Sequence, residues 1–264
     1  VQVKAIDEIN SVNLLSEILG GINNGPGFFL GSMNEQDLML LRRLVNEQFL
    51  HTIQSAVPEQ VSAYYSAGIE EYHRVYQDEH FDHGNIWHKG ARVLGPASVE
   101  LVTQMVFFQK LRACFGPILV SDEENFGWPG IYWRLVRPGQ SDIGPVHADK
   151  WFWDLGHGEM PGEPGEFYRV KLWISLYSQA GKSGLRVVPH SHKKDDWRYH
   201  GEVRGGKQKP VLDEPEDELN LVSLPLDSGG FVLFHDKLLH GGMPNSGSQS
   251  RVSMELTLVL KAKH

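Results

Sequence analysis

Phe231-Val-Leu-Phe-His-Asp-Lys-Leu-Leu-His240-Gly-Gly-Met-Pro-Asn-Ser-Gly-Ser-Gln-Ser-Arg251-Val-Ser-Met-Glu-Leu-Thr-Leu-Val-Leu260 is the stretch on which the fold turns. It is entered through Asp227-Ser-Gly-Gly230 and reads as a β-rich run, a glycine-marked turn after His240, a second turn at Pro244-Asn-Ser-Gly-Ser, and a long returning strand. Glycine after His240 lets the backbone bend tightly beside a ligand. An antiparallel return brings Arg251 back toward His240, where a guanidinium can hold a carboxylate with two parallel hydrogen bonds.

A second segment, His147-Ala-Asp149, lies upstream, its histidine 93 positions before His240. In a strand, residues i and i+2 share a face, so an extended Ile143–Asp149 presents His147 and Asp149 to one cavity. Two imidazoles and one carboxylate can hold one face of a metal and leave the opposite face open, the donor set of non-haem Fe(II) oxygenases. Taken alone, a His-x-Asp pair reads better as a hydrogen-bonded couple at a strand end than as a pair of metal ligands. Further segments in a fixed order favour the metal.

Those segments are Lys171-Leu-Trp173-Ile-Ser-Leu, Ser183-Gly-Leu-Arg-Val-Val-Pro-His-Ser-His192-Lys, and Ser228-Gly-Gly-Phe-Val-Leu-Phe-His235 through Arg251. Together with His147 and Asp149 they resemble, in order, the phytanoyl-CoA hydroxylase-like Fe(II)/2-oxoglutarate dioxygenases. The likeness covers residues 131 to 260 and extends loosely to Gly27-Phe-Phe-Leu30 and the helix that follows. Two positions depart from the pattern: His190 stands where the family usually has Gly, and Gly242 where some members carry Ser.

The resemblance implies Fe(II) held by His147, Asp149 and His240, with 2-oxoglutarate as cosubstrate and O2 as oxidant. Arg251, with Ser253 on the same strand face, would take the distal carboxylate, and Trp173 would wall the cosubstrate pocket. Trp151, Trp153, His190, Tyr132 and Arg134 are the candidate substrate contacts; Trp151 and Trp153 qualify only if the strand carrying Asp149 continues. The implied reaction hydroxylates an unactivated C–H bond and releases succinate and CO2. Halogenation is disfavoured because Asp149 keeps the carboxylate that related halogenases replace with a small residue. The substrate expected is a small polar or acid-bearing metabolite, with an acyl-CoA as alternative. Two rivals are a cupin metalloenzyme independent of 2-oxoglutarate, whose ligands usually come from a close His-x-His cluster, and a non-catalytic jelly-roll binding module.

Bulk properties agree with such an enzyme. The chain has 264 residues, 41% of them hydrophobic, and a net charge of −8, so nothing global recommends nucleic acid or an anionic membrane as partner. No apolar run is long enough for a membrane span. Cys114 is the sole cysteine, which excludes an internal disulfide, suits a reducing compartment and leads to a cytoplasmic expectation.

One domain is expected over 1–264: a helical support region over 1–116 and a jelly-roll core over 117–264. Helical periodicity predicts Val12–Leu19, Glu35–Ser55 with Leu38, Leu41, Val45 and Phe49 on one stripe, a helix starting at Pro58, and one continuous helix from a Ser98 cap to Gly116. Strands are predicted at about 117–122, 131–136, 143–149, 167–177, 184–188, 219–224, 230–235 and 251–260. The whole reads as mainly β with flanking α, a cupin-like double-stranded β-helix buttressed by the amino-terminal helices. Asp78–Pro96, Asp154–Glu166 and Lys193–Glu218 read as loops. Between Lys193 and Lys209 six basic residues stand against three acidic ones, yet a solvated loop is preferred there. His80, His83, His88, His157 and His200 are expected at the surface, His235 as a structural residue and His192 as a partner of backbone.

Overall fold

The computed structural model describes residues 3–6, 11–77, 81–204 and 206–262. In chain order its helices are α1 (Ser11–Leu19), α2 (Glu35–Ala56), α3 (Val61–Ala67), α4 (Tyr72–Val75), α5 (His83–Ile86), α6 (Pro96–Gln104), α7 (Val106–Phe115) and α8 (Asp149–Asp154). The strands are β1 (Lys4–Ala5), β2 (Phe28–Ser32), β3 (Ile118–Val120), β4 (Tyr132–Val136), β5 (Phe167–Tyr177), β6 (Gly184–Val187), β7 (Tyr199–Arg204), β8 (Lys207–Leu212), β9 (Val222–Ser223), β10 (Gly230–His235), β11 (His240–Met243) and β12 (Arg251–Lys261).

Two sheets face each other as a jelly roll. The larger has the order β1-β2-β10-β5-β12-β3 with β4 paired to β12, and the smaller has the order β11-β6-β9. Apart from the parallel β1–β2 pair, the ladders of the larger sheet are antiparallel. The amino-terminal region therefore supplies two strands as well as helices: β2 pairs with β10 from Gly230↔Ser32 to Phe234↔Phe28.

Alternation sets what each face of the large sheet does. Val252, Met254, Leu256 and Leu258 of β12 and Leu172, Ile174 and Leu176 of β5 join Leu41, Val45, Phe49 and Ile53 of α2 in one buried core. The intervening residues, Arg251, Ser253, Glu255 and Thr257 on β12 and Lys171 and Trp173 on β5, must point to the other face, into the jelly roll. Each fully buried apolar side chain of the α2 stripe contributes about 1.5–3 kcal/mol, so helix and sheet brace one another.

The structure departs from the expected elements where a specific partner intervenes. The helix predicted over 98–116 begins instead after Gly95, with Pro96 in its first turn, and breaks at Met105. Asp37, buried on α2, accepts a 2.7 Å hydrogen bond from Phe107 N. That carboxylate satisfies a donor left open at the start of α7 and faces the positive end of its dipole. The predicted 143–149 strand reduces to one bridge, His147 with His240, and the chain then turns into α8. Pro145 has no N–H to offer a ladder, and Val146 N donates instead to Glu216 Oε1 at 2.9 Å. Within the charged 193–218 stretch, β7 and β8 form a hairpin, from Tyr199↔Leu212 to Arg204↔Lys207. Among the described residues no helix is long and apolar enough to cross a membrane.

Candidate metal centre

His147 and His240 meet as an antiparallel bridge, each N–H bonded to the other's carbonyl at 3.0 and 2.9 Å, and their rings lie 4.5 Å apart. Asp149 opens α8 two residues on, with its carboxylate at the same point. His147 Nε2 is 3.7 Å from Asp149 Oδ1, and His240 Nε2 is 3.6 Å from Asp149 Oδ2. One donor atom from each of the three residues lies within 4.8 Å of the others. Both imidazoles are oriented from behind: the Nδ1–H of His147 donates to Pro145 O and that of His240 to Leu238 O, each at 2.9 Å. A carbonyl only accepts, so Nδ1 carries the proton and each Nε2 lone pair is left for a metal.

The electrostatics fit a cation. Burial alone would raise the Asp149 carboxyl, but the Lys171 ammonium and the two imidazoles hold it well below the ordinary range. Burial holds His240 down to about 4, which keeps it neutral and ligating at neutral pH. Asp149 Oδ2 is buried with no hydrogen-bond partner among the described residues, an uncompensated acceptor that a metal ion would satisfy. Two nitrogens and one carboxylate oxygen on one side of an open position suit Fe(II).

Arg251 begins β12 at 1% exposure. Burial depresses its guanidinium to about 9, with the nearby Arg134 second among the causes. Its Nη1 donates to Gly184 O, its Nε has no partner, and it makes no ion pair among the described residues. A carboxylate-bearing ligand would complete it. A Cβ on Gly242 would stand 3.5 Å from Arg251 Nη2 and 3.0 Å from Ile143 Cγ2, so a serine there would need Ile143 to give by a few tenths of an ångström.

Ser253 is buried on the same face as Arg251 and pairs with Arg134 of β4. Trp173 is buried in the apolar lining of the jelly roll with Leu30, Val187, Val232 and Phe234. Tyr132 is buried beneath the Lys89 ammonium, which sits 4.5 Å from its ring centroid. Three candidates are not brought to the cavity. Because α8 replaces the expected strand, Trp151 and Trp153 do not follow Asp149 onto one face: Trp151 stacks on Tyr199 at 4.5 Å and Trp153 lies beneath Arg169. His190 is exposed, with a φ of 67°. This is the left-handed region, which explains the glycine usual at that position. The pair His190 and His192 does have His-x-His spacing, but His192 faces Asn23 O and neither residue joins the triad.

Several residues were not assigned from sequence. Lys171 Nζ lies 3.7 Å from Asp149 Oδ1, 3.8 Å from Glu123 Oε1 and 3.4 Å from Thr257 Oγ1, which ties the triad to the loop before β4. Burial would lower its ammonium, but Asp149, Glu123 and Glu255 raise it above the ordinary value. The available signal was polar residues at alternate positions, 251, 253, 255 and 257, in a strand otherwise apolar. His83, expected at the surface, is largely buried, accepting from Tyr72 Oη at 3.2 Å with Asp142 3.6 Å away on its other side. His80 lies outside the described residues.

A jelly roll with two histidines and an aspartate converging in its interior, and a buried arginine on the adjoining strand, defines the class of non-haem metalloenzymes built on this fold. The family can be named: the sequence profile of the phytanoyl-CoA dioxygenase (PhyH) family matches residues 52–253, and the chain belongs to that family. No curated protein sequence matches it. Similar solved structures include AviO1 from Streptomyces viridochromogenes Tue57, with 14% identity and a TM-score of 0.52 over 97% of this chain and 99% of that one. The non-haem α-ketoglutarate-dependent carbocyclase SnoK from nogalamycin biosynthesis has 14% identity and a TM-score of 0.52, over 98% of this chain and 87% of that one. The epimerase SnoN, solved with Fe3+, α-ketoglutarate and nogalamycin RO, has 13% identity and a TM-score of 0.51, over 95% and 84%. These likenesses concern the fold.

Proposed function

We propose that this protein is an Fe(II)- and 2-oxoglutarate-dependent dioxygenase that hydroxylates an unactivated C–H bond of a small polar metabolite, releasing succinate and CO2. The observation that carries this reading is the convergence of His147, Asp149 and His240 donor atoms within 4.8 Å of one another, on a jelly roll whose interior also holds Arg251, buried with no carboxylate ion pair among the described residues. When bound, iron and 2-oxoglutarate together supply the oxidising chemistry that reduces O2.

The protein's own groups have simpler tasks. His147, Asp149 and His240 would hold the metal by one side, with Lys171 fixing the Asp149 carboxylate. Arg251 would neutralise the distal carboxylate of the cosubstrate, and Ser253 would offer a hydroxyl beside it. Trp173, Val232 and Phe234 give an apolar wall that excludes water, which strengthens every charge interaction inside. Tyr132 and Arg134 remain on the substrate side; Trp151, Trp153 and His190 are not carried into this reading. The chain is taken as one catalytic unit over 1–264. A cytoplasmic setting belongs to the same reading, supported by a sequence whose single cysteine, Cys114, is buried.

Among proteins of similar fold, SnoK is a carbocyclase and SnoN an epimerase, so product mass is the discriminating readout. A succinate-release screen over a metabolite panel, with mass analysis of the product, is expected to give succinate together with a gain of one oxygen. Succinate with a product lacking that oxygen would remove hydroxylation and keep the cosubstrate. No succinate above background from iron-loaded protein with any compound would contradict both.

A further inference from the structure

We infer that the substrate carries an oxyanion, a carboxylate or a phosphate, gripped between Arg134 on the inner face of β4 and Lys209 on the β7–β8 hairpin. The inference rests on the function proposed above and names the chemical class its substrate must have.

The two cations are brought together by a chain of contacts. Tyr132 and Arg134 share the inner face of β4, and the Lys89 ammonium lies over the Tyr132 ring. Lys89 Nζ donates to Glu124 Oε1 at 2.6 Å, and Lys207 of β8 donates to the other oxygen of the same carboxylate. Glu124 thus pins the hairpin to the mouth of the jelly roll. One step along each strand, on the same faces, stand Arg134 and Lys209. The hairpin's other side is seated by Tyr199 stacked on Trp151 and by His157 donating to Gln208 O at 2.5 Å.

Four other cations at this mouth are already engaged. Lys89 and Lys207 share Glu124, Lys171 lies between Asp149 and Glu123, and Arg251 belongs to the cosubstrate in the reading above. Arg134 and Lys209 have no hydrogen bond or ion pair of their own among the described residues. Glu202, opposite Lys209 in the hairpin, is held by Arg204 at 2.6 Å. Glu255, diagonal to Arg134 across β4 and β12, is shared: against its burial, Lys171 first and Arg134 second hold its carboxyl down. Partial burial lowers the Lys209 ammonium, and the charges of Lys89, Arg134 and Arg204 lower it further against the opposite pull of Glu124. In a chain of net charge −8 such a pair calls for an anion from outside.

Anaerobic protein loaded with Fe(II) and 2-oxoglutarate, titrated calorimetrically with sodium sulfate at constant ionic strength, is expected to show saturable binding. Arg134→Gln and Lys209→Gln should each weaken it about tenfold. Lys209 is exposed on the hairpin, so its variant reads the site without threatening the fold. Sulfate binding that is absent, or indifferent to both substitutions, overturns the inference. A second arm compares carboxylates with their methyl esters, and phosphates with their dephosphorylated forms, in succinate release. Stimulation by one anionic class identifies the oxyanion, and equal stimulation by neutral partners overturns the inference. Loss of the visible Fe(II)–2-oxoglutarate band in the unsubstituted protein would sink the proposed function instead, and the sulfate titration remains readable without it.

Discussion

Each residue of the centre has a task set by what surrounds it. Arg251 is the clearest case: a guanidinium at 1% exposure with its Nε unsatisfied is costly unless a ligand completes it. Arg251→Gln keeps a polar group of similar reach and removes the charge. It is expected to raise the 2-oxoglutarate requirement in succinate release by roughly ten- to hundredfold, the range for one charge-assisted hydrogen bond. An unchanged requirement would transfer that role to another cation, with Arg134 next in line. His147, Asp149, His240 and Arg251 were legible in the sequence because few donor sets recur in that order. Lys171 lies in a motif that gives it no role, since a lone lysine in a strand says nothing of which carboxylate it will meet. Its partners Asp149, Glu123 and Thr257 arrive from three other segments.

Elements position these side chains, and here pattern and tertiary contact diverge. The α2 stripe and the long strands β5, β10 and β12 follow directly from periodicity. Three features do not: the break between α6 and α7 depends on Asp37, more than sixty residues away; the loss of the 143–149 strand depends on Pro145 and Glu216; and the β7–β8 hairpin was hidden by its charge. The second of these misdirected Trp151 and Trp153, because a two-residue period holds only while the strand does. The α2–sheet contact carries an energetic prediction. Phe49 is fully buried and stacks on Trp87 at 5.3 Å. Phe49→Ala should cost about 3–5 kcal/mol in urea unfolding; a loss under about 1 kcal/mol would show that α2 does not brace the large sheet.

The whole molecule joins a helical layer to the jelly roll through buried polar contacts as well as apolar ones. Trp87 Nε1 donates to Tyr72 Oη, which donates to His83 Nδ1, and His83 faces Asp142, which is itself held by Arg137. Burial holds His83 down to about 4, outweighing the opposite pull of Asp142. Unfolded, the same imidazole titrates near 6.5, so between these values the unfolded chain binds more protons than the folded one. The stability due to neutral His83 is therefore complete above about pH 6.5 and is lost as pH falls toward 4. Melting temperatures measured from pH 7 to 4.5 should fall, and His83→Asn should flatten part of that fall. His192, also lowered by burial, accounts for some of the remainder. Parallel curves for the two proteins would place the acid sensitivity elsewhere.

In the proposed function, His147, Asp149 and His240, from two segments, would share one iron that 2-oxoglutarate also chelates. Anaerobic addition of Fe(II) and 2-oxoglutarate, followed by visible absorption, reads that arrangement. The weak charge-transfer band of that chelate is expected in the unsubstituted protein and should be lost in His147→Ala, Asp149→Ala and His240→Ala. A band that persists in all three variants would contradict it.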